Sequence, residues 1–336
     1  MIILEHSSLS DYIFLSREVS LPLSVMKIIK KNDFAFNEIV SYSEKKFESF
    51  LQSLKTNYNA KIRNFDEKIA KFREKKRSKI YNRIDQDLRI CKSNQIKCFS
   101  YFDSGYPTIL KSLKQPPKLI FMKGEIKPQD FKSVAIIGTR NPTKYGKEMA
   151  RAIAKRFAEL GFTVVSGFAK GIDTIAMESA LENGGRAIGV IASGILNLYP
   201  KENKRLVKAL IANGALISER FPYKSVTKRA LQIRNRITSG LGLGNIVVEG
   251  NKFSGTQWQL RFGDEQGKPA IAVEPIGEYE QAYVPNKIIK EKGGAKISDI
   301  DDVDYIGEML LIEYEERKQI RSKEKNSVVQ ANLLKY

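Results

Sequence analysis

The central part of the chain alternates short apolar runs with segments whose apolar residues follow a helical spacing. The runs begin about 24 to 31 residues apart, near Val134, Thr163, Ala187, Ala215, Ile246 and Ala270. Each interval is long enough for one crossover helix between parallel strands. The pattern therefore predicts an α/β fold, with a doubly wound, mainly parallel sheet of at least six strands and helices on both faces.

The first 98 residues follow a different pattern, which predicts a helical N-terminal domain. Between residues 61 and 92 apolar residues recur in steps of three and four, which predicts one amphipathic helix of about eight turns or two helices. The basic residues of its charged face are Lys71, Arg73, Lys75, Lys76, Arg77, Lys79 and Arg83. This face is either a solvated surface or one that contacts DNA or a partner. We expect the sheet domain at residues 99–305 and a charged helix with a loose end at 306–336.

Two of the predicted strands end in turns that contain glycine and a cation. Gly138-Thr139-Arg140 follows the first strand, and the segment 166–171, with Lys170, follows the second. Because parallel strands leave a sheet at the same edge, we expect these turns to lie close together although about 28 residues separate them. Backbone amides and the positive ends of helix dipoles favour an anion there, most simply a phosphate.

A run without acidic residues lies between Glu219 and Glu249, where later strands are predicted to end. Its six cations are Arg220, Lys224, Lys228, Arg229, Arg234 and Arg236. Arg234-Asn235-Arg236 stands out because two guanidiniums beside an amide can hold phosphate oxygens in a bidentate manner. The alternative is that these arginines form surface salt bridges.

The excess of basic residues indicates a polyanionic partner. The chain of 336 residues has 57 lysines and arginines against 38 acidic residues, a formal net charge of +19. Such a balance fits either a phosphate-rich ligand or simple solubility. With only Cys91, Cys98 and His6 as soft ligands, we expect no metal site. No signal peptide and no apolar run of membrane-spanning length is evident, so we expect a cytoplasmic protein.

Short motifs follow one another in a fixed order from residue 105 to beyond residue 250. They are Gly105-Tyr106-Pro107, Pro116-Pro117, Lys123-Gly124, VAIIGTR (134–140), SGFAKGID (166–173), LYP (198–200), RNRI (234–237), VVEG (247–250) and SGT (254–256). In this order the chain resembles the DNA-processing protein A family, DprA or Smf. The resemblance covers about 200 residues, which makes it far more specific than a lone glycine-rich loop.

The resemblance implies a Rossmann-like domain that binds and protects single-stranded DNA without cutting it. It further implies a homodimer that helps to load a RecA-type recombinase, with no enzymatic activity and no cofactor. By the same resemblance, the residues expected to contact phosphates are Arg140, Lys170, Arg234 and Arg236. The expected DNA- or phosphate-binding residues are Gly138, Thr139, Arg140, Ser166, Gly167, Lys170, Gly171, Arg234, Asn235, Arg236, Ser254 and Gly255. Asp173 and Glu249 are expected behind them, starting a helix or orienting an arginine.

The chain departs from the family pattern at several positions. Ala176-Met177 stands where the family usually has Ala-His, and Gln257-Trp258 follows the Ser-Gly-Thr motif in place of a Thr-Ala helix start. We expect no winged-helix domain after residue 306. Single-strand binding is expected to survive these changes better than an inherited partner contact. Trp258 is expected either to pack in the core or at a rim, or to stack on a base.

Other functions stay open at this point. Related Rossmann-like families cleave nucleoside monophosphates or bind signalling nucleotides, and the same turns suit a small-nucleotide sensor or hydrolase with Glu249 or Glu219 as its acid-base group. Against a hydrolase, the segment SGTQWQLRFGDE lacks the pattern Gly-Gly-x-Gly-Thr-x-x-Glu. A structural protein, whose sheet only supports the N-terminal segment, is the third interpretation. The pathway, whether transformation, recombination or defence against foreign DNA, is open as well.

Overall fold

The computed structural model describes residues 6–73 and 77–333. These residues form two compact units. The first holds the described residues up to Tyr106 together with Pro117–Phe121, and the second holds Pro107–Pro116 and the described residues from Met122 onward. The domain boundaries expected at residues 98/99 and 305/306 stay predictions.

The first unit is mainly helical. Its helices are α1 (His6–Ile13), α2 (Leu23–Lys31), α3 (Phe36–Ser41), α4 (Glu44–Tyr58), α5 (Phe65–Arg73) and α6 (Arg77–Ser93). A π-helical turn, Phe14–Glu18, follows α1. Helix α4 illustrates how the sequence specifies these elements, because Phe47, Leu51 and Leu54 are buried at helical spacing and the Ser43 side chain accepts a hydrogen bond from the Lys46 amide.

The charged segment between residues 61 and 92 contains α5 and α6. Lys75 and Lys76 lie outside the described residues. Arg73 pairs with Glu44, and Arg83 Nη2 lies 2.8 Å from Glu18 Oε2. These two arginines are therefore compensated by carboxylates of their own unit.

Nine strands form one sheet in the described part of the chain, in the order β1-β2-β6-β5-β4-β3-β7-β8-β9. The strands are β1 (Lys97–Ser100), β2 (Leu119–Gly124), β3 (Ser133–Ile137), β4 (Thr163–Ser166), β5 (Ala187–Val190), β6 (Gly214–Ser218), β7 (Asn245–Val247), β8 (Ala270–Val273) and β9 (Ala295–Ile297). The neighbours from β6 to β9 are all parallel. Strands β3 to β7 are buried on both faces, which explains their continuous apolar runs.

The six predicted parallel strands are confirmed as β3 to β8. The sequence pattern did not predict β1 and β9. Both are only partly buried, so they lack the continuous apolar run that marks a central strand.

Helices cover the sheet of the second unit. They are α7 (Lys144–Glu159), α8 (Ile172–Glu182), α9 (Val207–Ala212), α10 (Lys228–Leu241), α11 (Thr256–Gln266), α12 (Tyr283–Lys292) and α13 (Asp302–Leu333). The helix expected at 306–336 thus begins at Asp302, and Val303, Ile306 and Leu310 are buried in the core with the β3 and β4 side chains. Within the described residues, no helix combines the length and the hydropathy of a membrane span.

The strand order reverses at β3, which decides where a ligand can bind. From β3 the chain builds the sheet outward through β4, β5 and β6, and then returns to place β7 on the other side of β3. The loops after β3 and β7 therefore leave in different directions and open a crevice at the carboxyl edge. Doubly wound sheets bind their ligands at this topological switch point.

Candidate nucleic-acid interface

A cavity of about 350 Å³ lies at the carboxyl edge of the sheet; we name it the strand-exit cavity. Its walls come from the turn after β3, the loop after β4, the second turn of α10 and the loop that leads into α11. The predicted site residues that line it are Gly138, Thr139, Arg140, Gly167, Asp173, Arg234, Asn235, Ser254 and Gly255. The fold thus brings together motifs that lie more than a hundred residues apart in the sequence.

The turn after β3 is held from two sides. The Thr139 amide donates to the Glu249 carbonyl oxygen at 2.8 Å, and the Ile172 amide donates to the Thr139 carbonyl oxygen at 3.2 Å. Gly171, at a φ of 77°, allows this approach, because a Cβ there would overlap the Thr139 and Arg140 carbonyl oxygens. The backbone of Arg140 is therefore fixed while its side chain is exposed at the cavity rim.

Glu249 supports the same turn through its side chain. Its fully buried carboxylate accepts hydrogen bonds from the Thr143 amide at 2.9 Å and from Thr143 Oγ1 at 2.6 Å. Thr143 in turn caps α7 by accepting from the Gly146 amide. The structure therefore places Glu249 behind the Arg140 loop, where it orients the loop through Thr143 rather than by pairing with an arginine.

Arg234 forms the inner wall of the strand-exit cavity. Its Nη1 donates to the Val190 carbonyl oxygen at 2.6 Å, at the end of β5, and only 7% of the residue is exposed. Its Nε is buried and has no hydrogen-bond partner within residues 6–73 and 77–333. A Cβ on residue 167 would overlap the Arg234 guanidinium, so the β4 loop needs Gly167.

The charges around Arg234 are coupled. Burial lowers the pKa of Arg234 to about 10; the negative charge of Asp173 opposes this shift and the positive charge of Arg140 adds to it. Burial also raises the pKa of Asp173, against the effects of Arg234 and of backbone amides that donate to its carboxylate. Because the pKa of Arg234 stays far above 7, its guanidinium is a buried cation at neutral pH. Asp173 lies in the first turn of α8, and its negative charge acts on Arg234.

Other predicted site residues do not line the strand-exit cavity. Lys170 Nζ lies 2.6 Å from Glu202 Oε1 at the surface, and Ser166 Oγ donates to the Ile136 carbonyl oxygen inside the sheet. Arg236 pairs with Glu219, and its Nε donates to the Gln115 carbonyl oxygen at 2.9 Å. Residues two apart in a helix point about 200° away from each other, so α10 turns Arg236 away from Arg234. The two guanidiniums do not share one ligand position.

Three residues of the cavity wall carry no motif that predicts them from the sequence. Gln232, Asn251 and Phe253 line the cavity, and the Phe253 residue is 87% exposed. Trp258 lies at the rim, 37% exposed, with the Arg261 guanidinium 5.7 Å from its ring centre. The only sequence signal for Phe253 is its position directly before the Ser254-Gly255 turn.

The chain is similar to known proteins. Residues 97–306 match the family model of DNA recombination-mediator protein A. The DNA processing protein DprA of Bacillus subtilis (strain 168) is 35% identical over 217 residues, which are 64% of this chain and 72% of that protein. The DprA of Streptococcus pneumoniae is 36% identical over 194 residues, covering 57% of this chain and 68% of that protein.

Solved structures show the same relationship. The X-ray structure of DprA from Streptococcus pneumoniae superposes with a TM-score of 0.70 and 27% identity, over 87% of this chain and 96% of that one. DprA from Helicobacter pylori, described for its single-stranded DNA binding mode, gives a TM-score of 0.57 and 28% identity, over 65% and 97% of the two chains. The doubly wound fold, the ordered motifs and the family match together show that this chain belongs to the DNA recombination-mediator protein A family, DprA/Smf.

Proposed function

We propose that this chain binds single-stranded DNA by its phosphates at the strand-exit cavity and acts there as a recombination mediator. The observation that carries the proposal is a pair of guanidiniums at one cavity. Arg140 is exposed at the rim and forms no ion pair with any carboxylate of the described residues, while Arg234 is a buried cation behind it. Because the two positive charges repel each other, an anion bound between them stabilises both.

A phosphate backbone fits this cavity better than a sequence-specific ligand does. Contacts to phosphates position a strand without reading its bases. The glycine turns at Gly138 and Gly255 let a backbone approach closely, and helices α8 and α11 begin at the same edge with their positive dipole ends. The kinship with the DprA of Helicobacter pylori supports single-stranded DNA as the strand that binds.

The geometry favours a binding protein over a nucleotide hydrolase. Glu249 is fully buried, is bonded to Thr143 and is not among the residues that line the cavity. Asp173, the carboxylate that does line it, faces Arg234 and accepts from backbone amides. Neither is placed as a free acid-base group toward a bound nucleotide. We expect no release of free base when nucleotides are incubated with the purified chain, and no change in Glu249→Gln.

The proposed function includes two protein partners besides DNA. The family resemblance implies a RecA-type recombinase and a second copy of this chain. We include both in the proposed function, together with a location in the cytoplasm where DNA and recombinase meet. Light scattering of the purified chain and of its mixture with a recombinase tests them separately from DNA binding.

The direct test compares a fluorescent oligo-dT of about 35 nucleotides with a matching duplex across a salt series. If about six phosphates are neutralised, the affinity for the single strand falls on the order of 300-fold between roughly 50 and 200 mM salt. Arg140→Ala and Arg234→Ala are expected to weaken binding, and Arg83→Ala in α6 serves as the control because Arg83 pairs with Glu18. Binding that ignores salt, or that survives both substitutions in the cavity, contradicts the proposal.

A further inference from the structure

The Phe253 ring is the most exposed large hydrophobic side chain among those described, at 87% of its surface. It lies between two cavities, because it lines the strand-exit cavity and also a cavity of about 430 Å³ that we name the Tyr283 cavity. Apolar rings are ordinarily stabilised by burial, and phenylalanine is among the residues most often found inside proteins. What sets Phe253 apart from other exposed apolar residues is its place beside a cationic site and between two cavities, where an aromatic face can stack on a base.

The turn that carries Phe253 is held by hydrogen bonds. The Phe253 amide donates to Asn251 Oδ1 at 3.0 Å, and the Ser254 amide donates to the Asn251 carbonyl oxygen at 3.0 Å. Asn251 Nδ2 donates to Glu280 Oε1 at 2.9 Å, and the Gly250 amide donates to the Gln281 carbonyl oxygen at 2.7 Å. The turn is thus closed by its own hydrogen bonds and anchored, on the N-terminal side of Phe253, to residues 280 and 281, and the residue is exposed before any ligand binds.

The Tyr283 cavity differs in chemistry from the strand-exit cavity. Tyr279, Tyr283 and Phe253 give it three aromatic rings, and Asn286 adds an amide. Its lysines and glutamates are equal in number, so it offers no net positive charge to a phosphate. Aromatic faces with neighbouring amide and carboxylate groups suit a nucleobase, which stacks through its π-face and forms hydrogen bonds through its edge.

We propose that Phe253 is a base-stacking residue and that the Tyr283 cavity receives the base of a nucleotide whose strand is held in the strand-exit cavity. The inference rests on the proposed function, and it adds a reason for strand choice. In a duplex each base is already stacked and paired, so its face reaches Phe253 only after unpairing. In a single strand the base faces can contact Phe253 without any unpairing. Phe253 therefore favours single-stranded over duplex DNA, whereas the arginines bind phosphates of either.

The test uses Phe253→Ala and Phe253→Trp, with Phe131→Ala as the matched control. Phe131 is an exposed phenylalanine that lies just before β3, at the opposite edge of the sheet from the strand-exit cavity. Binding of the oligo-dT and of the matching duplex is measured across the same salt series. Phe253→Ala is expected to lower single-strand affinity about 5- to 150-fold, with an unchanged salt slope, because stacking releases no counterions. Duplex binding and Phe131→Ala are expected to change less than about twofold.

A spectroscopic arm reports the contact itself. An oligonucleotide with one 2-aminopurine in place of a thymine is expected to lose fluorescence on binding to the unsubstituted chain and to Phe253→Trp, but not to Phe253→Ala. Equal quenching and equal affinity for Phe253→Ala and Phe131→Ala overturn the inference. A change of molecular mass in Phe253→Ala, seen by light scattering, also overturns it, because the ring then belongs to a contact between copies of the chain.

Failure of this inference is distinguishable from failure of the proposed function. If the unsubstituted chain binds the oligo-dT and Arg140→Ala weakens that binding while Phe253→Ala does not, the phosphate site stands and the stacking residue is rejected. If the unsubstituted chain binds no oligonucleotide, the proposed function is rejected together with the inference.

Discussion

Two groups of cations, one at the strand-exit cavity and one on α5 and α6, look alike in the sequence but differ in their surroundings. On the helices, Arg73 and Arg83 each lie beside a glutamate of their own unit. At the cavity, Arg140 forms no ion pair within residues 6–73 and 77–333, and Arg234 is buried next to it. These four arginines differ in their pairing, and the two at the cavity are those that we propose to hold an anion.

The same contrast occurs within α10. Arg234 faces the strand-exit cavity with a buried Nε that has no hydrogen-bond partner among the described residues. Arg236, two residues later, is satisfied by Glu219 and by the carbonyl oxygens of Gln115 and Ile233. Arg234 is therefore the arginine of the Arg-Asn-Arg motif that faces the cavity. Arg236 instead bonds α10 to Glu219 and to the Gln115 carbonyl oxygen.

The largest effect is expected from Arg234→Met, which removes the buried cation and leaves Asp173 buried without its compensating charge. We expect the free energy of unfolding to fall by about 3 kcal/mol, measured by urea denaturation, and oligo-dT binding to be lost. The double variant Arg234→Met/Asp173→Asn is expected to recover part of the stability but not the binding. Unchanged stability in Arg234→Met contradicts the coupling of the two buried charges.

A smaller loss of stability is expected from Gly167→Ala. The added methyl group overlaps the Arg234 guanidinium, and displacing it is expected to cost about 2 kcal/mol of unfolding free energy. Gly255→Ala is the matched control, since a Cβ there meets no atom within 4 Å and the residue has a φ of −62°. The melting temperatures of both variants are compared with that of the unsubstituted chain. If both fall by the same amount, the close packing around Arg234 is not the reason why residue 167 is glycine.

Arg140→Ala is expected to separate binding from stability. Loss of one charged hydrogen bond to phosphate is expected to weaken oligo-dT binding about tenfold and to lower the salt slope by about 0.7. Because the side chain is exposed and forms no ion pair with the residues that the structure describes, the free energy of unfolding is expected to change by less than about 0.5 kcal/mol. A variant with unchanged affinity and salt slope would remove Arg140 from the DNA contact.

The smallest effect is expected from Arg83→Ala on α6. A solvent-exposed ion pair contributes little, so stability is expected to change by less than about 0.5 kcal/mol, and DNA affinity by less than about twofold. If Arg83→Ala weakens oligo-dT binding as strongly as Arg140→Ala, the contrast between paired and unpaired cations is wrong, and the helical face contacts DNA as well.

The sequence pattern predicts the sheet, and it also predicts which turns lie at one edge of that sheet. Continuous apolar runs such as Val134–Ile137 identify strands buried on both faces, since only such strands lack an alternating polar side. The parallel order then brings the glycine turns after β3 and β4 to one edge, because every strand of a parallel sheet ends on the same side. This reasoning places Arg140 and Gly167 near one another without any coordinates.

Tertiary contacts decide which side chains face the strand-exit cavity. Arg234 and Arg236 are the same residue type in one short motif, but their side chains leave α10 in opposite directions. Lys170 forms an ion pair with Glu202, which lies in a distant segment. Phe253 has no sequence signal beyond its position before the Ser254-Gly255 turn, and it is exposed on a segment in which residues 250 and 251 bond to residues 281 and 280. The spacing of two residues in a helix separates Arg234 from Arg236, but the Lys170 pair and the exposure of Phe253 depend on residues far away in the chain, about which local spacing carries no information.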